Sequence, residues 1–89
     1  MSGELARLRA EVEAVDRALV ETINRRLELV LRIREHKHET GTPLRDPERE
    51  RRQTELLATA NRGPLTPQGL ERIYAEILAL TRRELDLGD

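Results

Sequence analysis

Apolar residues recur along the first forty positions at the spacing of an amphipathic helix. They follow one another at steps of three, four or seven residues, the one-faced helical pattern. The series consists of Leu5, Leu8, Val12, Val15, Leu19, Ile23, Val30 and Ile33. Between Glu4 and Gly41 no Gly or Pro interrupts it, and Gly41 and Pro43 together form a stop signal. The pattern predicts a helix over about residues 4–39.

This first helix is too long for the rest of the chain to cover. A helix of about 36 residues is about 54 Å long. A compact globule of 89 residues has a diameter of only about 30 Å. We therefore expect a partner chain, with a symmetric dimer as the default arrangement. A free coiled coil is the alternative, which the two further helices disfavour.

Two shorter helices follow, and each begins with a capping residue and a proline. Asp46 suits the N-cap and Pro47 the first helical position of the second helix, as Thr66 and Pro67 do for the third. The sequence shows no strand-like alternation and no internal repeat. It predicts a single all-α domain spanning residues 1–89. Its three helices would cover about residues 4–39, 46–61 and 66–87.

Composition excludes several classes of function. The net charge of −1 gives no overall field that would attract nucleic acid or an anionic membrane. Cysteine is absent, which removes disulfides and thiolate metal sites. No segment resembles a signal peptide or approaches the ~18 apolar residues of a membrane span. His36 and His38 face different sides of a helix, so we predict no metal site. The lack of cysteine and of a membrane or signal segment predicts a soluble, cytoplasmic protein.

Basic residues occupy positions where the apolar stripes predict core. Arg26 and Lys37 are eleven residues apart, which on a helix is about 20° of rotation and about 16 Å of rise. Arg49 heads an inward stripe of the second helix, beside Glu50. Burial of a cation costs several kcal/mol unless it is paired, and Glu50 and Asp46 are too few to pair all three. We expect a bound dianion, unless these side chains reach solvent or Arg26 pairs with Glu50.

Arg9 and Lys37 stand apart from the other basic residues. Arg9 precedes Arg26 by 17 residues, about 25 Å along a helix, which is too far to share one small ligand within a subunit. If Arg9 contributes to the site, it does so in the partner subunit. Lys37 is the only lysine among the sixteen basic residues, and hence the only compact ammonium donor.

Several blocks of residues, in this order, carry a resemblance to a known family. They are residues 8–16, 25–29 with Ile33 and Lys37, 41–50, 61–65 and 73–77. Together they resemble the AroQ-type (all-α, type II) chorismate mutases over essentially the whole chain. The resemblance implies an intertwined helical homodimer with two equivalent sites. It also implies the rearrangement of chorismate to prephenate in phenylalanine and tyrosine biosynthesis, without cofactor or metal.

The resemblance implies roles for the cations on the substrate's carboxylates and ether oxygen. Arg26 would grip one carboxylate, and Arg9 of the partner subunit would grip a carboxylate together with Lys37. Lys37 would also donate to the ether oxygen. Thr81 stands where a small hydroxyl residue of the family contacts a carboxylate.

The remaining site residues would hold the ring. Glu50, with the backbone near Asp46 and Arg49, would bind the ring hydroxyl, and Ile33 would pack on the ring. The predicted catalytic residues are Lys37, Arg26 and Glu50.

One position departs from the family pattern. The family usually places Gln or Glu late in the third helix to assist the ether oxygen. An ungapped count places Leu85 there, with Glu84 one residue before it. Either a small shift brings Glu84 into the site, or the second donor is missing and catalysis is weaker.

Four alternative functions remain to be weighed. An aminodeoxychorismate mutase or an isochorismate-pyruvate lyase of the same fold would bind a similar dianion. A weakly active module that regulates a heptulosonate-phosphate synthase is slightly favoured by Leu85. RNA binding through the arginines is disfavoured, because acidic residues are interspersed and stacking aromatics are lacking.

Overall fold

The computed structural model describes residues 2–41 and 46–87. Within these ranges the chain forms three helices and no strand: α1 (Ser2–Thr40), α2 (Pro47–Ala60) and α3 (Pro67–Leu85). The predicted all-α class, with one long, one short and one medium helix, is confirmed. None of the described helices combines the length and apolar character required to cross a bilayer.

The first turns of α2 and α3 are capped by the side chains that the sequence indicates. The Asp46 carboxylate accepts a hydrogen bond from the Arg49 N–H at 3.2 Å, and Pro47 follows in the first turn. The Thr66 hydroxyl accepts one from the Gly69 N–H at 3.0 Å. Each cap satisfies an N–H that the helix leaves without an internal partner.

Left-handed residues mark the ends of α1 and α3. Gly41 follows α1 with a φ of 73°, a conformation open to glycine, while Pro43 of the predicted stop signal lies outside the described residues. Asp86 has a φ of 52° and ends α3 at Leu85. The third helix therefore stops before Leu87, where the apolar pattern predicts its end. The pattern does not show this earlier end, because the spacing of apolar residues carries no information on the backbone conformation of Asp86.

Asn61 organises the connection between α2 and α3. Its side-chain oxygen accepts from the Gly63 N–H at 3.1 Å, and its side-chain nitrogen donates to the Leu65 carbonyl at 3.0 Å. Gly63 adopts a φ of 75°. One side chain thus bonds to the backbone at two points of this short turn, and Thr66 caps the helix that follows.

The chain divides into two compact units, of which the first ends at Arg34 and contains most of α1. Apolar side chains of this unit lie open to solvent. The most exposed of them are Val12, Val15, Leu19 and Val20, at 54–60%. The helix therefore presents its apolar stripe uncovered, as expected for a surface that packs against another chain.

The second unit begins at Glu35 and contains the end of α1 together with α2 and α3. Contacts between α2 and α3 hold it together. Thr81 is its buried side chain, with 5% exposed, and no hydrophobic side chain is fully buried anywhere in the described ranges. The unit has a contact between helices but no sealed apolar core.

Candidate active site

An ion pair joins the start of α2 to the end of α3. The Glu50 carboxylate lies 3.8 Å from the Arg82 guanidinium, and the two side chains are 33% and 35% exposed. The sequence pattern left Arg26 as a possible partner for Glu50, and it did not single out Arg82. Only the packing of α2 against α3 brings positions 50 and 82 together, so no local signal could have revealed the pair.

The first turn of α2 uses its own polar groups to build the cap. Asp46 accepts from the Arg49 N–H through its side chain and from the Glu50 N–H through its carbonyl, at 3.1 Å for the latter. The Glu50 carbonyl in turn accepts from the Thr54 hydroxyl at 2.9 Å. The Arg49 side chain is exposed in the single chain, whereas its apolar stripe predicts an inward position. The hydrogen bonds of Asp46 and Thr54 support the turn from which the Glu50 carboxylate projects.

The Thr81 side chain forms a hydrogen bond within α3. Its hydroxyl donates to the Ile77 carbonyl at 2.7 Å. A serine or threonine bonded in this way to the preceding turn has used its one hydroxyl proton. Donation from Thr81 to a carboxylate therefore requires the hydroxyl to rotate away from Ile77.

The last turn of α3 separates Glu84 from Leu85. Leu85 is half-buried and follows Thr81 by four residues, which places both on one helix face. Glu84 is exposed. Glu84 follows Thr81 by three residues and is also near that face, so burial rather than spacing favours Leu85 over Glu84 at the predicted position.

Lys37 lies in the last turn of α1, within the second unit. Its side chain is half-buried, and its carbonyl accepts from the Thr40 hydroxyl at 3.3 Å. A cation at this end of a helix is favoured by the helix dipole. The helix dipole alone would explain a lysine at this position. It would not explain why the Lys37 side chain is half-buried. The neighbouring His36 and His38 are exposed, and the described residues contain no cluster of three candidate metal ligands.

The remaining predicted site residues belong to the first unit. Arg26 is half-buried, whereas Arg9 is exposed and Ile33 is 39% exposed. Arg26 therefore lies within the partly covered stretch of α1, as its position in the apolar stripe predicts. Arg9 lies on the open stretch of the same helix.

A separate groove runs between α2 and α3 beside the turn that connects them. Most of its surface is apolar, with Glu55 and Glu71 at its sides, and no predicted site residue lines it. Its apolar and turn residues are Leu57, Ala58, Gly63, Leu65, Pro67, Leu70 and Tyr74. The groove is thus distinct from the place where the start of α2 meets the end of α3, which carries Glu50 and Arg82.

Comparison with known proteins gives several relatives. The chain is 36% identical over 80 residues to the bifunctional chorismate mutase/prephenate dehydratase of Aquifex aeolicus, a match that covers 85% of this chain and 22% of that protein. It is 46% identical over 47 residues to a 4-amino-4-deoxychorismate mutase of Streptomyces venezuelae, covering 53% and 46%. It is 44% identical over 50 residues to a T-protein of Enterobacter agglomerans, covering 56% and 13%.

In each case the match spans less than half of the relative's own length. No solved structure gives a significant match. The family model described as chorismate mutase type II, however, matches residues 8–85, which is nearly all of this chain. The resemblance carried by the sequence blocks is therefore confirmed, and the chain belongs to the type II chorismate mutase family.

Proposed function

We propose that this protein is a chorismate mutase that rearranges chorismate to prephenate in the cytoplasm, on the route to phenylalanine and tyrosine. The observation that carries the proposal is the family match over residues 8–85. The Aquifex aeolicus relative supports it, because its name joins chorismate mutase to prephenate dehydratase. A dehydratase of prephenate consumes the product of this reaction.

The residues suit a reaction that needs no nucleophile, general base or metal. In this Claisen rearrangement the ether C–O bond breaks while a C–C bond forms, and negative charge develops on the ether oxygen. A protein can select the folded conformer of the substrate and stabilise that charge. Cations and fixed hydrogen-bond donors are sufficient for both tasks.

Lys37, Arg26 and Glu50 are the proposed catalytic residues. Lys37 donates to the ether oxygen, Arg26 binds a carboxylate and Glu50 accepts from the ring hydroxyl. The partial burial of all three side chains supports these roles, because a charge that is partly removed from water interacts more strongly with a ligand. A planar guanidinium also matches a carboxylate with two parallel hydrogen bonds.

Other residues complete the site in this proposal. The backbone near Asp46 and Arg49 binds the ring hydroxyl together with Glu50, and Ile33 packs on the ring. Thr81 contacts a carboxylate after its hydroxyl rotates. Leu85 occupies the position where the family usually has a second donor to the ether oxygen, so this donor is missing. The exposed Glu84 does not substitute for it.

The active form is proposed to be an intertwined homodimer to which Arg9 contributes in trans. The uncovered apolar side chains of α1 support this, as does the absence of a fully buried hydrophobic residue in the described ranges. A second copy of the chain would cover this surface and bring an exposed Arg9 to a site that its own subunit does not complete. Homodimers are the commonest solution for such a self-complementary surface.

An aminodeoxychorismate mutase is the second candidate. It is favoured by the Streptomyces venezuelae relative, which is 46% identical over the 47 matched residues. An isochorismate-pyruvate lyase, or a weakly active regulatory module of a heptulosonate-phosphate synthase, would use the same site.

The deciding experiment offers chorismate, 4-amino-4-deoxychorismate and isochorismate to the purified chain, with each product identified by chromatography. We expect chorismate to be consumed fastest and to give prephenate. Faster turnover of either other substrate would replace the proposal by the corresponding alternative. Strong activation on adding the synthase would show a regulated module. Sedimentation of the same sample as a monomer would contradict the dimer.

A further inference from the structure

The carboxylate proposed to hold the ring hydroxyl has a guanidinium beside it. Glu50 and Arg82 lie 3.8 Å apart, and each keeps only about a third of its side-chain surface exposed. Water therefore screens this pair less than it screens the more exposed ion pairs of the first unit, such as Arg7 with Glu4, whose side chains are 61% and 63% exposed. Any ligand group that reaches Glu50 meets both charges.

A hydroxyl and an ammonium respond differently to such a pair. A neutral hydroxyl needs one lone pair of the carboxylate, and a neighbouring cation changes that hydrogen bond little. An ammonium is attracted by the net negative charge around it, which Arg82 cancels, and it is repelled by Arg82 itself. The pair thus favours a hydroxyl over an ammonium at the same position.

We propose that Arg82 is a specificity-determining residue, which makes the site prefer a substrate with a neutral ring hydroxyl to one with a ring ammonium. This inference rests on the proposed function, because it takes Glu50 as the residue that contacts the ring substituent. Both kinds of substrate occur among the names of the relatives, as chorismate and as 4-amino-4-deoxychorismate. The choice between them requires a difference in affinity, and a like charge placed against one substrate supplies it.

The chain offers a matched control in the next residue. Arg83 is exposed, and within the described ranges it forms no ion pair. Neutralising Arg83 changes the net charge of the same helix turn by the same amount but leaves the charge beside Glu50 in place. Any effect common to both variants is therefore a general effect of charge.

The experiment measures kcat/KM for chorismate and for 4-amino-4-deoxychorismate at pH 7 with the wild type, R82K, R82Q, R82E and R83Q. The readout is the ratio of the two values, because a loss of folded protein lowers both equally. We expect the preference for chorismate to fall about fivefold in R82Q, as for a partly exposed charge pair, and further in R82E. R82K and R83Q should stay within about twofold of the wild type, the scale of a weak surface effect.

Each outcome decides the proposal. An unchanged ratio in R82Q and R82E overturns the role of Arg82 but leaves the mutase activity standing. An equal loss toward both substrates leaves the ratio unchanged and overturns it in the same way, because it shows no discrimination by Arg82. If R82E loses its helical circular dichroism, the comparison of R82K with R82Q decides alone. A wild type that fails to convert chorismate overturns the proposed function first, and this inference with it.

Discussion

The Thr81 hydroxyl donates to the Ile77 carbonyl at 2.7 Å, from a side chain that is only 5% exposed. This bond returns to a carbonyl of the same helix, so its loss leaves no buried donor unsatisfied. The hydroxyl therefore contributes little to the free energy of unfolding. The effects of Thr81 on stability and on ligand binding can consequently be separated.

Thr81→Val should keep the fold and weaken binding. Valine has nearly the same shape, so we expect the free energy of unfolding in urea to change by less than about 1 kcal/mol. If the hydroxyl contacts a substrate carboxylate, the KM for chorismate should rise several-fold. Thr81→Ser, which retains the hydroxyl, is the control and should keep a KM close to that of the wild type. Equal KM values in all three proteins would remove Thr81 from the site.

Lys37→Ala should abolish most of the catalysis without unfolding the chain. Loss of a donor to a developing oxyanion costs about 10²–10³ in kcat. Arg32→Ala removes an exposed cation from the same helix and serves as the control. Initial rates of chorismate loss, with circular dichroism to confirm helicity, measure the effect. Near-normal turnover by the alanine variant would disprove the assignment of Lys37.

Mixing two inactive variants tests whether Arg9 acts in the partner subunit. Arg9→Ala and Lys37→Ala each damage both sites of their own homodimer. In a mixed dimer, one site receives both substitutions and the other receives neither. After denaturation and refolding together, random pairing should restore about a quarter of the wild-type activity. If the refolded mixture stays as inactive as its components, Arg9 and Lys37 act within the same subunit.

Leu85→Gln should increase the rate. The half-buried Leu85 shares a helix face with Thr81, and an amide there could donate a second hydrogen bond to the ether oxygen. We expect kcat for chorismate, measured from initial rates, to rise about tenfold, which is less than the roughly 10²–10³ effect of one optimally placed oxyanion donor.

Glu84→Gln provides the matched comparison for Leu85→Gln. The exposed Glu84 should tolerate the change, with kcat altered less than about twofold, because its side chain takes no part in the chemistry proposed for this site. A marked loss of activity in Glu84→Gln would show instead that Glu84 enters the site.

Local features of the fold were predictable, and the contacts between helices were not. Asp46 and Thr66 predict where α2 and α3 begin, because a cap depends only on residues within one turn. The partner of Glu50 depends on how α2 packs on α3, which residue spacing does not encode. The end of α3 was missed for a local reason: Asp86 adopts a left-handed conformation that is more usual for glycine.

The placement of the candidate site residues was predictable to a similar extent. The spacing of the apolar stripe predicted core positions for Arg26 and Lys37, whereas in the single chain both side chains are only half-buried. The hydrogen bond from the Thr81 hydroxyl to the Ile77 carbonyl could not be predicted from the sequence, because only some threonines in helices form such a bond. The contribution of Arg9 from a second subunit remains a prediction.

The open apolar stripe of α1 has a consequence for how this protein responds to dilution. In the proposed dimer, a chain whose described residues include no fully buried hydrophobic side chain would gain much of its folding free energy from association, and mass action would link its unfolding to its concentration. The midpoint of thermal unfolding should then rise as the protein is concentrated. In a cell, the amount of chain synthesised would set not only how many sites exist but also what fraction of them are assembled.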